Sequence, residues 1–112
     1  MTISTHVLDS AAGRPAAGVP VALHAREQDR WVVVGAGVTD PDGRLAAVVP
    51  DGTALQAGVH RLRFDTAAYF ARQGQAGFYP EVSVVFEVTD PDDHYHVPLL
   101  LAPWGYTTYL GS

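Results

Sequence analysis

At 112 residues, 47% hydrophobic and 17% charged, the chain has the composition of a single folded domain with a modest core, not of a disordered segment. The net charge of −5 and seven scattered arginines, with no lysine, exclude the clustered basic face that binds nucleic acid, and the arginine-only usage itself reads as genome composition. Without cysteine there is no disulfide framework, thiol nucleophile or thiolate zinc site; no apolar run approaches membrane-span length, and the opening Met1 to His6 lacks a leader's basic and apolar regions, so a soluble, unexported, cytoplasmic protein is expected.

The elements follow in chain order as strands. A short pattern runs from Ile3 to Leu8, with Thr5 and Val7 facing away from His6, and a Gly/Pro-rich break spans Asp9 to Pro15. Val19, Val21 and Leu23 then alternate with Pro20, Ala22 and His24, and Trp31 to Val34 is a continuous strand-forming run. Asp40-Pro41-Asp42-Gly43 has the proline and glycine of a type I turn, and Arg44 opens a strand beginning Leu45-Ala46-Ala47-Val48. A further break lies at Pro50-Asp51-Gly52. From Val59 onward, His60, Leu62 and Phe64 share one face and Arg61 and Arg63 the other. Ala67 to Gln73 alone has helical character, about two turns at most. Val82, Val84, Phe86 and Val88 share a face opposite Ser83 and Glu87, before a turn at Asp90 to Asp93. Val38 to Asp42 recurs as Val88 to Asp92, which is repeated turn chemistry and not a duplicated domain. Many short strands with one small helix predict an all-β fold, an antiparallel β-sandwich.

The stretch from His94 to Ser112 stands out because chain ends usually turn polar and fray. Here His94-Tyr95-His96 leads into Val97-Pro98-Leu99-Leu100-Leu101, and Trp104, Tyr106 and Tyr109 follow. Such a segment must be buried in the fold or against a partner, so the histidines at its entrance are held in place. Pro98 interrupts strand hydrogen bonding, as expected near an edge or bulge, and an apolar edge left unpaired is an aggregation hazard.

Two residues apart on a strand, His94 and His96 project from the same face. Histidine titrates near neutrality and is the default general base for activating water, so this pair and His6 are candidates, whereas His24 and His60 read as structural. His-x-His with one more histidine is also a zinc pattern of low specificity. The Asp-rich segments lack the glutamate of a calcium loop and read as turns. Arg44, at a turn-to-strand junction, is either a surface arginine or a planar fork placed to hold a carbonyl or an anionic heteroatom pair.

Four stretches resemble the 5-hydroxyisourate hydrolases, the transthyretin-related family of purine degradation. They are Ser4-Thr5-His6-Val7-Leu8-Asp9 with Gly13-Arg14-Pro15-Ala16; Thr39 to Arg44; Tyr69-Phe70 with Phe78-Tyr79-Pro80-Glu81-Val82; and His94 to Leu101 with Gly105-Tyr106-Thr107-Thr108-Tyr109. They span nearly the whole chain. The resemblance implies one transthyretin-like domain over residues 1–112, a sandwich of two four-stranded sheets assembled as a homotetramer with active sites between subunits. It places the catalytic set on His6, Arg44 and His96, with His94, Tyr109 and Ser112 binding substrate. Leu110 stands where the family's terminal Tyr-Arg-Gly-Ser has arginine, which removes a charge and a five-donor group. Ala102 and Thr107, where serines are common, are small changes.

The implied reaction is hydrolytic opening of the six-membered ring of 5-hydroxyisourate at a cyclic amide, without cofactor or metal. Attack by water needs a base, His96 or His6, and donors near the developing oxyanion, supplied by Arg44. The rival reading is a non-catalytic carrier, since transthyretin itself binds a hormone on this fold. A carrier channel has no need of His6, Arg44 and His96 together. A structural sandwich module of a larger protein is the third reading, and motifs reaching both ends of the sequence count against it. The apolar terminal segment gives the assembly expectation its physical basis: pairing with a symmetry mate satisfies both the edge backbone and the side chains, with His6, Arg44 and His96 lining the interface.

Overall fold

The computed structural model describes residues 2–50 and 52–112. Asp51, of the turn predicted at Pro50-Asp51-Gly52, lies outside them. Two sheets face one another. The first is antiparallel throughout, in the order β4 (Arg30–Val38), β3 (Pro20–Glu27), β6 (Gly58–Phe64), β7 (Val82–Val88). Its inward face carries the period-two residues read from sequence: Val21, Leu23, Leu62, Phe64, Val82 and Val88 are buried, while Arg63, Ser83 and Glu87 are exposed. The run at Trp31 to Val34 forms the edge strand β4, where Val33 stays 63% exposed.

The second sheet is organised around β1 (Thr2–Asp9). On one side β1 pairs antiparallel with β2 (Arg14–Pro15) and β5 (Arg44–Leu45). On the other it pairs parallel with β8 (His94–His96) and β9 (Leu99–Ala102), and β9 continues antiparallel to β10 (Gly105–Thr108). The expectation of two four-stranded antiparallel sheets is thus refined: the second sheet is mixed, with five short strands assembled around the eight-residue β1. Pro98 is the reason β8 and β9 are separate. The register nevertheless runs through the break, from Ser4 opposite His96 to Val7 opposite Leu99, so the proline removes a donor without shifting the strand. Thr5 Oγ1 donates to the Val97 carbonyl at 2.7 Å, and the Val97 N–H donates to Ser4 O at 3.0 Å, bridging the gap.

The strand expected from Arg44 through Val48 lasts only two residues. Beyond Leu45 the chain leaves the ladder and returns once, where the Val48 N–H donates to Ile3 O at 3.0 Å and the Val48 side chain enters the core. The helix α1 (Thr66–Arg72) begins one residue earlier than predicted because Asp65 caps it, its Oδ1 accepting from the Ala68 N–H at 3.1 Å. From this helix the buried Tyr69 hydroxyl donates to Asp9 Oδ2 at 2.7 Å, tying α1 to the end of β1. Burial and the adjacent carboxylate push the Tyr69 phenol up to about 12.

Candidate active site

Alternation along β1 sends Ile3, Thr5 and Val7 inward, all fully or almost fully buried, and leaves Thr2, Ser4 and His6 on the opposite face. The register then sets a partner beside each: His94 opposite Thr2, His96 opposite Ser4 and Arg44 opposite His6. Two histidines from one neighbouring strand and an arginine from the other therefore flank β1 on its outward face.

Arg44 is delivered by the Asp40–Gly43 turn. Asp40 Oδ1 accepts from the N–H groups of Asp42 and Arg44, each at 2.9 Å, and the Gly43 N–H donates to Asp40 O at 2.8 Å. Gly43 has φ +77°, and a Cβ there would lie 2.3 Å from Val7 O, so only glycine lets the turn dock on β1. The Val7 N–H donates to Gly43 O at 2.7 Å. His6 joins the same dock, its Nε2–H donating to the Asp42 carbonyl at 2.9 Å. A carbonyl only accepts, so this nitrogen of His6 carries its proton and is occupied.

His96 is half-buried and contacts Ser4 Oγ through Nδ1 at 2.8 Å. The same hydroxyl lies 3.3 Å from His94 Nε2, and His94 Nδ1 meets Thr2 Oγ1. The two imidazoles stand 6.5 Å apart at 11° to one another. Burial holds the His96 imidazole below its ordinary value, and the neighbouring His94, His6 and Arg44 push in the same direction. A neutral ring at neutral pH, with Nε2 left free by Ser4, is the form a general base requires.

Gly111 closes the arrangement. Its N–H donates to His96 O at 2.8 Å, and a Cβ there would sit 2.7 Å from His96 Cδ2. Ser112 is thereby carried into the cleft of about 330 Å³ that Ser4, Arg44, Ala46, His94 and His96 line. His6 borders this group as the cross-strand neighbour of Arg44. Tyr109 lies elsewhere: with Leu110 it lines a separate apolar groove of about 270 Å³ alongside Val84, Phe86, Tyr95 and Val97. Leu110, 74% exposed, borders this groove and not the polar cleft. Among the described residues no three His, Asp or Glu side chains converge as the ligands of a metal ion would.

The remaining histidines, expected to be structural, are both buried, each with one ring nitrogen (His24 Nδ1, His60 Nε2) lacking a hydrogen-bond partner among the described residues. His60 is 2% exposed and lies over Phe86, its Nδ1 bonded to Gly58 O at 3.0 Å. His24 is buried where the β3–β4 register shifts. Ser4 and Gly111 were not singled out as site residues by sequence. The alternation Thr2-Ser4-His6 held a signal for Ser4; nothing local marks Gly111, whose constraint comes from a ring fifteen positions away.

The model of the HIUase/Transthyretin family matches residues 3–111. The chain belongs to this family. A probable 5-hydroxyisourate hydrolase of Caenorhabditis elegans is 44% identical over 99% of this chain and 82% of its own length. Among solved structures, the Klebsiella pneumoniae 5-hydroxyisourate hydrolase superposes with a TM-score of 0.82 at 39% identity, covering 99% of this chain and 93% of that one. Sea bream transthyretin in complex with thyroxine superposes with a TM-score of 0.89 at 33% identity, covering 99% and 95%. The family member solved with thyroxine bound thus matches the backbone at least as well as the one named as a hydrolase. Fold does not separate them; the hydrolases' names at about 40% identity support an enzyme. No helix among the described residues is long and apolar enough to cross a membrane.

Proposed function

We propose that this chain hydrolyses 5-hydroxyisourate in urate degradation, opening the ring at its cyclic amide, with His96 as base and Arg44 as the carbonyl's electrostatic partner. The observation that carries this reading is the convergence of Arg44 and His96 on the outward face of β1, with His6 as Arg44's cross-strand neighbour. The names of the relatives at about 40% identity point the same way.

Water held near His96 Nε2 gives up a proton to that nitrogen as its oxygen bonds to the amide carbon. Negative charge develops on the carbonyl oxygen, where the Arg44 fork donates to it. When the tetrahedral intermediate collapses, the carbon–nitrogen bond breaks and the leaving ring nitrogen takes the proton back from His96. His6, with Nε2 tied to Asp42 O, orients substrate rather than serving as base. His94 and Ser112 border the bound heterocycle. These groups suffice for a ring opening without metal or other cofactor.

The cleft is an open groove on a sheet face, and Trp104, Tyr106 and Tyr109 remain 68%, 42% and 55% exposed even though Leu99 and Leu101 are buried in the chain's own core. A homotetramer covering these aromatics and enclosing the cleft between subunits accounts for both features. Activity per subunit then falls on dilution below the assembly constant, whereas a monomer that stays fully active at micromolar concentration overturns the shared-site reading.

The deciding assay follows the ultraviolet decay of freshly generated 5-hydroxyisourate with and without the protein. Acceleration that His96→Ala abolishes supports the hydrolase. Decay at the uncatalysed rate, with tight binding of an apolar hormone, supports the carrier reading instead.

A further inference from the structure

On the outward face of the sheet the paired strands β1 and β8 set hydroxyls beside imidazoles: Thr2 and Ser4 on β1, His94 and His96 on β8. Ser4 Oγ is the shared point, 2.8 Å from His96 Nδ1 and 3.3 Å from His94 Nε2, and Thr2 Oγ1 meets the far nitrogen of His94. Ser4 is 8% exposed, and its carbonyl accepts the Val97 N–H at 3.0 Å, so its position is fixed by the ladder.

A hydroxyl has one proton and can donate to only one of these two rings. With the proton of the buried Ser4 used within it, the line Thr2–His94–Ser4–His96 has two self-consistent polarities; both rings donating to Ser4 would leave that proton without a partner in the line. In one, His96 Nδ1–H donates to Ser4, Ser4 donates to His94 Nε2, and His94 Nδ1–H donates to Thr2. In the other every donor is reversed, and His96 then carries its proton on Nε2. Of these two, only the first leaves His96 Nε2 as an acceptor. The surroundings favour it, because Arg44 lines the same cleft and carries only donors, so a second N–H turned toward it would set donor against donor.

We infer that Ser4 is a positioning residue that fixes the His96 tautomer, holding the proton on Nδ1 and the lone pair on Nε2, and that it does so by locking His94 into the complementary tautomer. His94 thereby acts through Ser4 as well as standing beside substrate. The arrangement deepens the hydrolase reading, since an Nε2 lone pair is what a water-activating base must offer.

The test is nitrogen-15 NMR of the histidine rings in the resting protein, read above the His96 titration. His96 is expected with a protonated Nδ1 and an unprotonated Nε2, and His94 with the same assignment; a protonated Nε2 on neutral His96 overturns the inference. In Ser4→Ala the His96 signals shift toward a tautomer mixture, and kcat falls about ten- to a hundredfold with KM little changed, less than loss of the base itself. Ser4→Thr, which keeps the hydroxyl, restores both. Unchanged ring shifts in Ser4→Ala also overturn it. Because the spectra need no substrate, failure to hydrolyse 5-hydroxyisourate would sink the functional proposal while leaving the tautomer result standing.

Discussion

His60 on β6 and His96 on β8 are both withdrawn from solvent, yet their sheets treat them differently. His60 lies in a regular antiparallel ladder seven residues long, stacked on Phe86, with Nε2 buried and without a hydrogen-bond partner. His96 lies in a three-residue strand between a turn and a proline, with one nitrogen on Ser4 and the other free. The long regular strands supply core; the short interrupted ones supply a face where residues from β1, β5 and β8 converge. The proposed chemistry falls on the irregular sheet, because each interruption lets a different segment reach β1.

The comparison breaks most sharply on substitution. His96→Ala and Arg44→Ala should each lower kcat/KM for 5-hydroxyisourate by about 10²-fold or more with unchanged circular dichroism. Near-normal turnover in either variant would mean that the face is not the active site. Tyr69→Phe, at the seam between α1 and β1, should cost about 1–3 kcal/mol in urea unfolding by leaving buried Asp9 without its hydroxyl donor. Its effect on turnover should be small. His60→Leu should leave hydrolysis intact and change stability by no more than about 1 kcal/mol, since the lost bond to Gly58 is offset by removing an unpartnered nitrogen. A large loss of activity there would erase the distinction between the two sheets.

The smallest effect concerns pH. With the His96 imidazole held below about 6.5, its neutral, base-competent form persists as pH falls through that value, so the acid limb of kcat/KM should lie lower still. His94→Ala removes one neighbour that lowers it and should move that limb upward, leaving burial, His6 and Arg44 to hold the rest of the depression. A limb that stays put would mean that the two rings do not sense each other's charge.

Much of this was legible in sequence because side-chain alternation is local. Leu62 with Phe64, Val82 with Val88, and the same-face placement of His94 and His96 all follow from a period of two. The parallel pairing of β1 with β8 was not, since it joins residues more than ninety positions apart and a strand's own pattern does not say which neighbour it takes. The family resemblance named His6, Arg44 and His96, whereas the register explains why they meet. The position of Tyr109 in the apolar groove could not be read from its motif, because the Gly111 bridge to His96 turns only the following residue into the cleft.

That long separation bears on synthesis. β1 emerges first, but its parallel partners β8 and β9 follow some ninety residues later, so for most of elongation one full edge of the strand lacks its native neighbour. A chain halted anywhere before His94 carries His6 and Arg44 without the proposed base, His96. High sequence separation of this kind also slows folding, because the loop-closure entropy is lost before any contact repays it. On the proposed mechanism catalytic competence arrives abruptly, with β8 and β9, and a shorter translation product should not act on substrate.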